Sequence, residues 1–270
     1  FQNEIVVPGD AWADWDAEKQ EFITVSEKFG DEKVTASRKS VVYYPRDLYD
    51  VPLHDGSKVS AGDFVMAMIM NFDRGKEESA IFDQSQVAAL NAWLSTFKGV
   101  KIVSTSPMVI ETYTDEWSMD AELNVTTWWP EYGTYDWSGY WHMISVGILA
   151  ESEKLLTFTK AKSDELGVEW MDYTKGPSLP ILKGRLDWAA SNNYIPYAPT
   201  MSTYVTAAEA TARWNNLKEF YNTYGHIWVG DGPYILKSVH PIEKIVVLEG
   251  FGDYPDPADK WLFLLEPLID

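Results

Sequence analysis

The 270-residue sequence contains no cysteine. That absence excludes a disulfide framework, a thiolate zinc site and a cysteine nucleophile. Positive charge is scarce: 22 Lys and Arg stand against 41 Asp and Glu, a formal charge of −19. A phosphate backbone needs clustered cations, so nucleic acid is not an expected partner, and an anionic membrane surface is disfavoured for the same reason. No run of 18 apolar residues occurs, so no segment reads as inserting into a bilayer. Histidine is rare too. His54, His142, His226 and His240 form no H-x-x-x-H pair of the kind a zinc hydrolase uses. G-x-S-x-G, the phosphate-binding G-x-x-x-x-G-K and the dinucleotide fingerprint are also missing, so nucleophilic and phosphoryl-transfer chemistry lack their usual hardware. Neither a cofactor nor a metal is expected, and there is no internal repeat or low-complexity tract.

Aromatic residues are plentiful: 13 Trp, 15 Tyr and 11 Phe. Their densest stretch is WWPEYGTYDWSGYW, Trp128 to Trp141, a loop punctuated by Pro and Gly. Trp128, Trp129, Tyr132, Tyr135, Trp137 and Trp141 are the candidate ligand-binding residues, because rings pack against sugar faces and peptide side chains alike. They suit an interface inside the protein equally well.

Local patterns assign most of the chain. DAWADWDAEKQEF, near the start, reads as surface helix or loop. VTASRKSVVYY, residues 34–44, reads as a strand. In HDGSKVSAGDFVMAMI, His54 to Ile69, Asp55-Gly56 signals a turn. Ser60 and Asp63 then stand at capping-box spacing, and Phe64, Val65, Met68, Ile69 and Phe72 follow at helical spacing. His54 beside this turn reads as structural. A second helix fits 84–97, stopped by Gly99. VKIVST and MVIETYT, split by Ser106-Pro107, read as a hairpin or adjacent strands. Three more helices fit roughly 142–155, 178–191 and 206–224. The last opens on a Thr206–Glu209 capping box and closes at Gly225. YILKSV and KIVVLEGF, near the end, read as two strands.

Two of these stretches carry a resemblance. HDGSKVSAGDFVMAMI and GDGPYILKSVHPIEKIVVLEGFGDYPD, Gly230 to Asp256, together resemble the extracellular solute-binding proteins of family 5, which serve peptide, oligosaccharide and nickel ABC importers. That family reads W-x-DG-x-x-(V/F)-(T/S)-A-x-D-V at the first stretch and G-(T/S)-GPY, strand, turn, strand at the second. Here Leu53 stands where Trp is common, Asp231 replaces Thr or Ser, and Phe251-Gly252-Asp253-Tyr254 occupies the usual Asn-Pro-x-Tyr end. The two motifs also lie much farther apart than in ordinary members, which implies an enlarged middle segment.

The resemblance implies a mixed α/β fold, a periplasmic-binding-protein-like type II lobe with a mainly helical enlargement. The lobe is expected from 1–115 together with 225–270, and the inserted, aromatic-rich segment from 116–224. The sheet is expected to bring the segment after Gly232 beside Lys101–Val103 or Val41–Tyr43. The implied function is non-catalytic capture of an oligopeptide or oligosaccharide outside the cytoplasm for the membrane permease of an ABC importer. Any signal or anchor, and the remaining lobe, are then expected upstream of Phe1.

Two other readings stay open. One is an extracellular carbohydrate-active enzyme or carbohydrate-binding module, with Glu111, Asp115 and Glu116 as the first carboxylates to consider. The other is a cell-surface interaction domain. Asp10, Asp14 and Asp16, or Asp253, Asp256 and Asp259, offer oxygen ligands for Ca²⁺, but neither set has EF-hand spacing, and a solvated acidic face is the better reading.

Overall fold

The computed structural model describes residues 4–120, 122, 139–257, 259–260 and 262. Helix and strand are both abundant and the fold is mixed α and β with several sheets. The first strands are β1 (Ile5–Val6), β2 (Trp12–Asp16) and β3 (Glu21–Thr24), followed by a short helix α1 (Val25–Phe29), then β4 (Thr35–Ala36) and β5 (Arg38–Tyr43). Helices α2 (Ala61–Asp73) and α3 (Gln84–Thr96) lead into β6 (Phe97–Thr105) and β7 (Met108–Thr114). After the 116–138 stretch come α4 (Trp141–Ser152), β8 (Leu156–Thr157), α5 (Lys160–Leu166), β9 (Glu169–Trp170), α6 (Ser178–Ser191), α7 (Ala198–Met201) and α8 (Ala207–Tyr224). The hairpin β10 (Tyr234–His240) and β11 (Ile245–Gly250) follows.

The main sheet has five strands in the order β3-β2-β6-β7-β5, and every pairing in it is antiparallel. The hairpin at Ser106-Pro107 forms as the sequence suggests. DAWADWDAEKQEF does not form a surface helix: it holds β2 and the start of β3. Ala13 and Trp15 turn inward, and the intervening Trp12, Asp14 and Asp16 stay half-buried, the period-two pattern of a strand. Trp15 is fully buried and donates its indole N–H to Asp73 Oδ1 at 2.7 Å. Trp12 stacks flat on Phe22 of β3, with centroids 4.1 Å apart.

Helix α2 starts where its capping box predicts. The Ser60 N–H donates to Asp63 Oδ2 at 2.8 Å. Helix α8 starts with the Glu209 N–H donating to Thr206 Oγ1 at 3.1 Å and ends at Gly225, whose φ of +75° suits glycine. Helix α4 is buried on all sides from Trp141 to Glu151, as a central core helix must be, and packs on α2, α6 and α8. A large hydrophobic core joins most of the elements: Trp15, Phe64, Phe72 and Val100 meet Trp141, Leu186 and Trp214 from the middle helices, and Val229 and Ile235 from the last segment, while a smaller cluster of Val7, Ala11, Ala13, Val25, Ala36 and Tyr113 lies apart from it.

The expected place of the last hairpin is corrected. Among the described residues β10 and β11 pair only with each other, not with Lys101–Val103 or Val41–Tyr43. The hairpin is anchored through β10, where Ile235 enters the core and Leu236 O accepts from His226 Nε2 at 2.6 Å. β11 carries the run Ile245-Val246-Val247-Leu248 with every residue exposed.

Candidate functional site

The two motif stretches meet. A turn closes where the Gly56 N–H donates to Leu53 O at 2.9 Å, and Gly56 holds a φ of +83°, which an L side chain resists. His54, inside this turn, bonds three times to the 230–232 stretch, 176 positions away. Its backbone N–H donates to Gly230 O at 2.8 Å, its Nδ1 accepts from the Gly230 N–H at 3.2 Å, and its Nε2 lies 2.9 Å from Gly232 O. Since Nδ1 accepts, Nε2 carries the proton and donates. Phe251 covers the imidazole edge-on at 4.9 Å. Gly230 permits this approach: a Cβ there would lie 3.0 Å from the imidazole Cε1.

Behind the turn lies a buried ionic network. Asp55 Oδ2 accepts from His142 Nε2 at 2.8 Å, and both side chains are fully buried. His142 Nδ1 is 3.1 Å from Arg213 NH1. A guanidinium only donates, so Nδ1 is the acceptor and the imidazole proton sits on Nε2, facing Asp55. Arg213 also grips Asp63 with two bonds, NH1 to Oδ1 at 2.7 Å and NH2 to Oδ2 at 2.8 Å. Its NH2 reaches Lys58 O at 2.6 Å and Ser60 Oγ at 3.0 Å, and its Nε lies 3.3 Å from Glu209 Oε1. Burial works against the Arg213 charge, but Asp63, Glu209 and Asp55 outweigh it and hold the group protonated. Burial likewise pushes the Asp55 carboxyl up. Its bonds with His142 and the Ser57 N–H, together with the positive charge of Arg213, outweigh that and leave it below the ordinary aspartate range.

An Asp–His pair invites comparison with a catalytic dyad, but here both imidazole nitrogens are engaged and the ring is sealed in the core. The network is a clamp. It ties the Asp55-Gly56 turn, the start of α2, the start of α4 and the middle of α8 into one body. A cavity of about 290 Å³ opens beside it, lined by Ser57, Lys58, Ser60, Glu209, Arg213 and Asn216 among others.

The candidate rings fare differently. Trp128, Trp129, Tyr132, Tyr135 and Trp137 lie outside the described residues. Trp141 is fully buried, not on an open surface. Its indole N–H donates to Glu209 Oε1 at 3.2 Å, its ring meets Trp214 edge-on at 5.5 Å, and the Arg213 guanidinium lies 5.3 Å from the ring centre.

The carboxylates considered for catalysis are spoken for. Glu111 accepts from Tyr113 OH at 2.6 Å and pairs with Lys39. Asp115 pairs with Lys98 and accepts from Ser37, and Glu116 reaches Arg38 at 3.5 Å. Asp10, Asp14 and Asp16 form no cation site: Lys101 holds the first, Lys28 and Lys76 the second and Lys19 the third. Asp256 of the second acidic set pairs with Lys260 at 2.6 Å. Among the described residues no group of three or more metal-ligating side chains gathers.

A larger opening lies elsewhere. A groove of about 850 Å³, within the range of small-molecule sites, runs between α5, β9 and the loop before α6, with Pro241 of the last hairpin as a further wall. Trp170 lines it with half of its surface exposed.

Comparison with protein-family models gave no match, and comparison with curated proteins gave none either.

Proposed function

We propose that the chain is the solute-capturing component of an ABC importer, or a segment of one, working outside the cytoplasm with a membrane permease as its partner and an oligopeptide or oligosaccharide as its cargo. On this reading the mixed fold is a lobe of type II periplasmic-binding architecture with an enlarged helical segment. One observation carries it: the stretches on which the resemblance rests, far apart in sequence, are locked together by the three bonds of His54 to Gly230 and Gly232. A scaffold of two turns pinned to a common core suits holding a molecule between rigid elements. Among the described residues no helix is long and apolar enough to cross a membrane.

The test is a screen of oligopeptides and oligosaccharides by thermal shift, with each mixture then analysed for products. A solute that raises the melting temperature in a concentration-dependent way and is recovered unchanged supports the proposal. Consumption of a substrate by the purified protein overturns it.

A further inference from the structure

The groove beside Trp170 has the features of a ligand site and takes no part in the clamp. β9 pairs in parallel with β8, and the Trp170 indole N–H donates to Phe158 O at 3.1 Å. That bond fixes the ring by its edge and leaves its surface half exposed over the groove. Met171, nearly buried, forms part of the lining. The far rim is stiffened by Asp172. Its Oδ1 accepts from the Thr174 N–H at 2.8 Å, from Thr174 Oγ1 at 2.7 Å and from the Lys175 N–H at 3.2 Å. The Asp172 N–H donates to Ser178 Oγ at 3.1 Å, tying the loop to the start of α6. Gly176, with a φ of +78°, completes the bend. An aromatic platform and a polar rim are thus both set before any ligand arrives.

The charges of the groove select among ligand classes. Lys175 is paired with Asp172, and Lys160 with Asp164. These pairs cancel and the lining adds the one carboxylate of Glu169, so the groove offers an anion no cationic patch and carries only a single negative charge at its rim. It offers hydroxyl-matching donors and acceptors around a flat apolar face. A neutral polyhydroxylated chain has the same composition: C–H patches that lie on a ring and hydroxyls that bond at its edge.

We infer that this groove binds a neutral oligosaccharide, with Trp170 as the stacking platform and the Asp172–Lys175 pair and Glu169 as the hydroxyl-bonding rim. The inference rests on the solute-capture reading and narrows its cargo.

The experiment is isothermal titration of the full chain with soluble gluco-, manno- and chito-oligosaccharides of three to six units, and with neutral oligopeptides of similar length. Trp170→Ala and Trp170→Phe are titrated in parallel. Saccharide binding that weakens by roughly tenfold in Trp170→Ala, and by much less in Trp170→Phe, is the expected result, since the second variant keeps a ring face. Circular dichroism melts of both variants check that the half-exposed position leaves the fold intact. Saccharide binding indifferent to Trp170 overturns the groove assignment while leaving solute capture standing. Peptide binding that depends on Trp170 overturns the saccharide class and leaves the groove. If neither ligand class binds the intact chain, the inference fails; solute capture itself fails only on turnover.

Discussion

Replacing Arg213 with methionine is the sharpest probe of the clamp, because the change keeps the stem and deletes the charge. Arg213 is 3% exposed and Asp63 1%, so the variant strands a carboxylate in the core. Breaking one partner of a buried ion pair costs about 3–5 kcal/mol. Asp63 keeps two backbone donors, Ser60 N–H at 2.8 Å and Trp141 N–H at 2.9 Å, which hold the loss toward the lower end. Lys58 O, Ser60 Oγ and His142 Nδ1 lose a donor as well, which pushes it back up. The expected loss is therefore about 3–4 kcal/mol. Urea unfolding at neutral pH measures it as a fall in midpoint at unchanged slope. Arg213→Lys should recover only part, because an ammonium does not reproduce the two parallel bonds to Asp63. The reasoning is refuted if Arg213→Met costs less than about 1 kcal/mol, the value of an exposed pair.

Two further perturbations test the rest. His54→Ala removes the imidazole donor to Gly232 O and the acceptor for the Gly230 N–H; about 1–3 kcal/mol should go, and hydrogen exchange should speed up at the Gly230 amide more than at the ends of α8. Asp55 and Asp73 should give opposite pH slopes. The Asp55 carboxyl titrates below its unfolded value, so its contribution is present above about pH 4 and is lost as pH falls through the folded value; Asp55→Asn should flatten that acid limb. Asp73 is raised, chiefly by burial, with Ser79, Trp15 and Tyr197 as neutral donors. Its contribution is complete below about pH 4 and is lost as pH rises through the folded value, so Asp73→Asn should remove a decline that sets in above about pH 4, read from denaturation midpoints across pH.

Elements with strong local signals were legible in the sequence. The Ser60–Asp63 box places the start of α2 within a residue, and Thr206 and Gly225 do the same for the two ends of α8, although the Glu209 carboxylate turns to Trp141 and Arg213 and not back to the cap. β2 was not legible, because alanine and aspartate are poor strand formers and the Asp-Ala-Glu-Lys run imitates a helix; burial of Trp15 against Asp73 decides the matter through a contact 58 positions away. The clamp was half legible. Asp63 reads as a capping residue, yet its second oxygen serves Arg213 and Trp141. Arg213 does leave a trace: on α8 it falls on the face shared by Ala210, Trp214 and Leu217, where an arginine has no place unless it is paired. Its partners are scattered over α2, α4 and the Asp55 turn, and no local pattern joins them. The detached hairpin was not legible either, since the strand signals of β10 and β11 are sound and say nothing of which sheet they join.

The bare run on β11 has a consequence for how the molecule behaves in solution. Four adjacent exposed apolar residues on β11, which among the described residues pairs only with β10, form an adhesive strip, and like strips on neighbouring molecules would zip together were it not for the charge of −19 that keeps the molecules apart. That repulsion reaches about 10 Å in 0.1 M salt and about 3 Å in 1 M. Ionic strength therefore sets how closely two copies can drift before the strips touch, and a protein dispersed in dilute buffer should turn cloudy as salt is added.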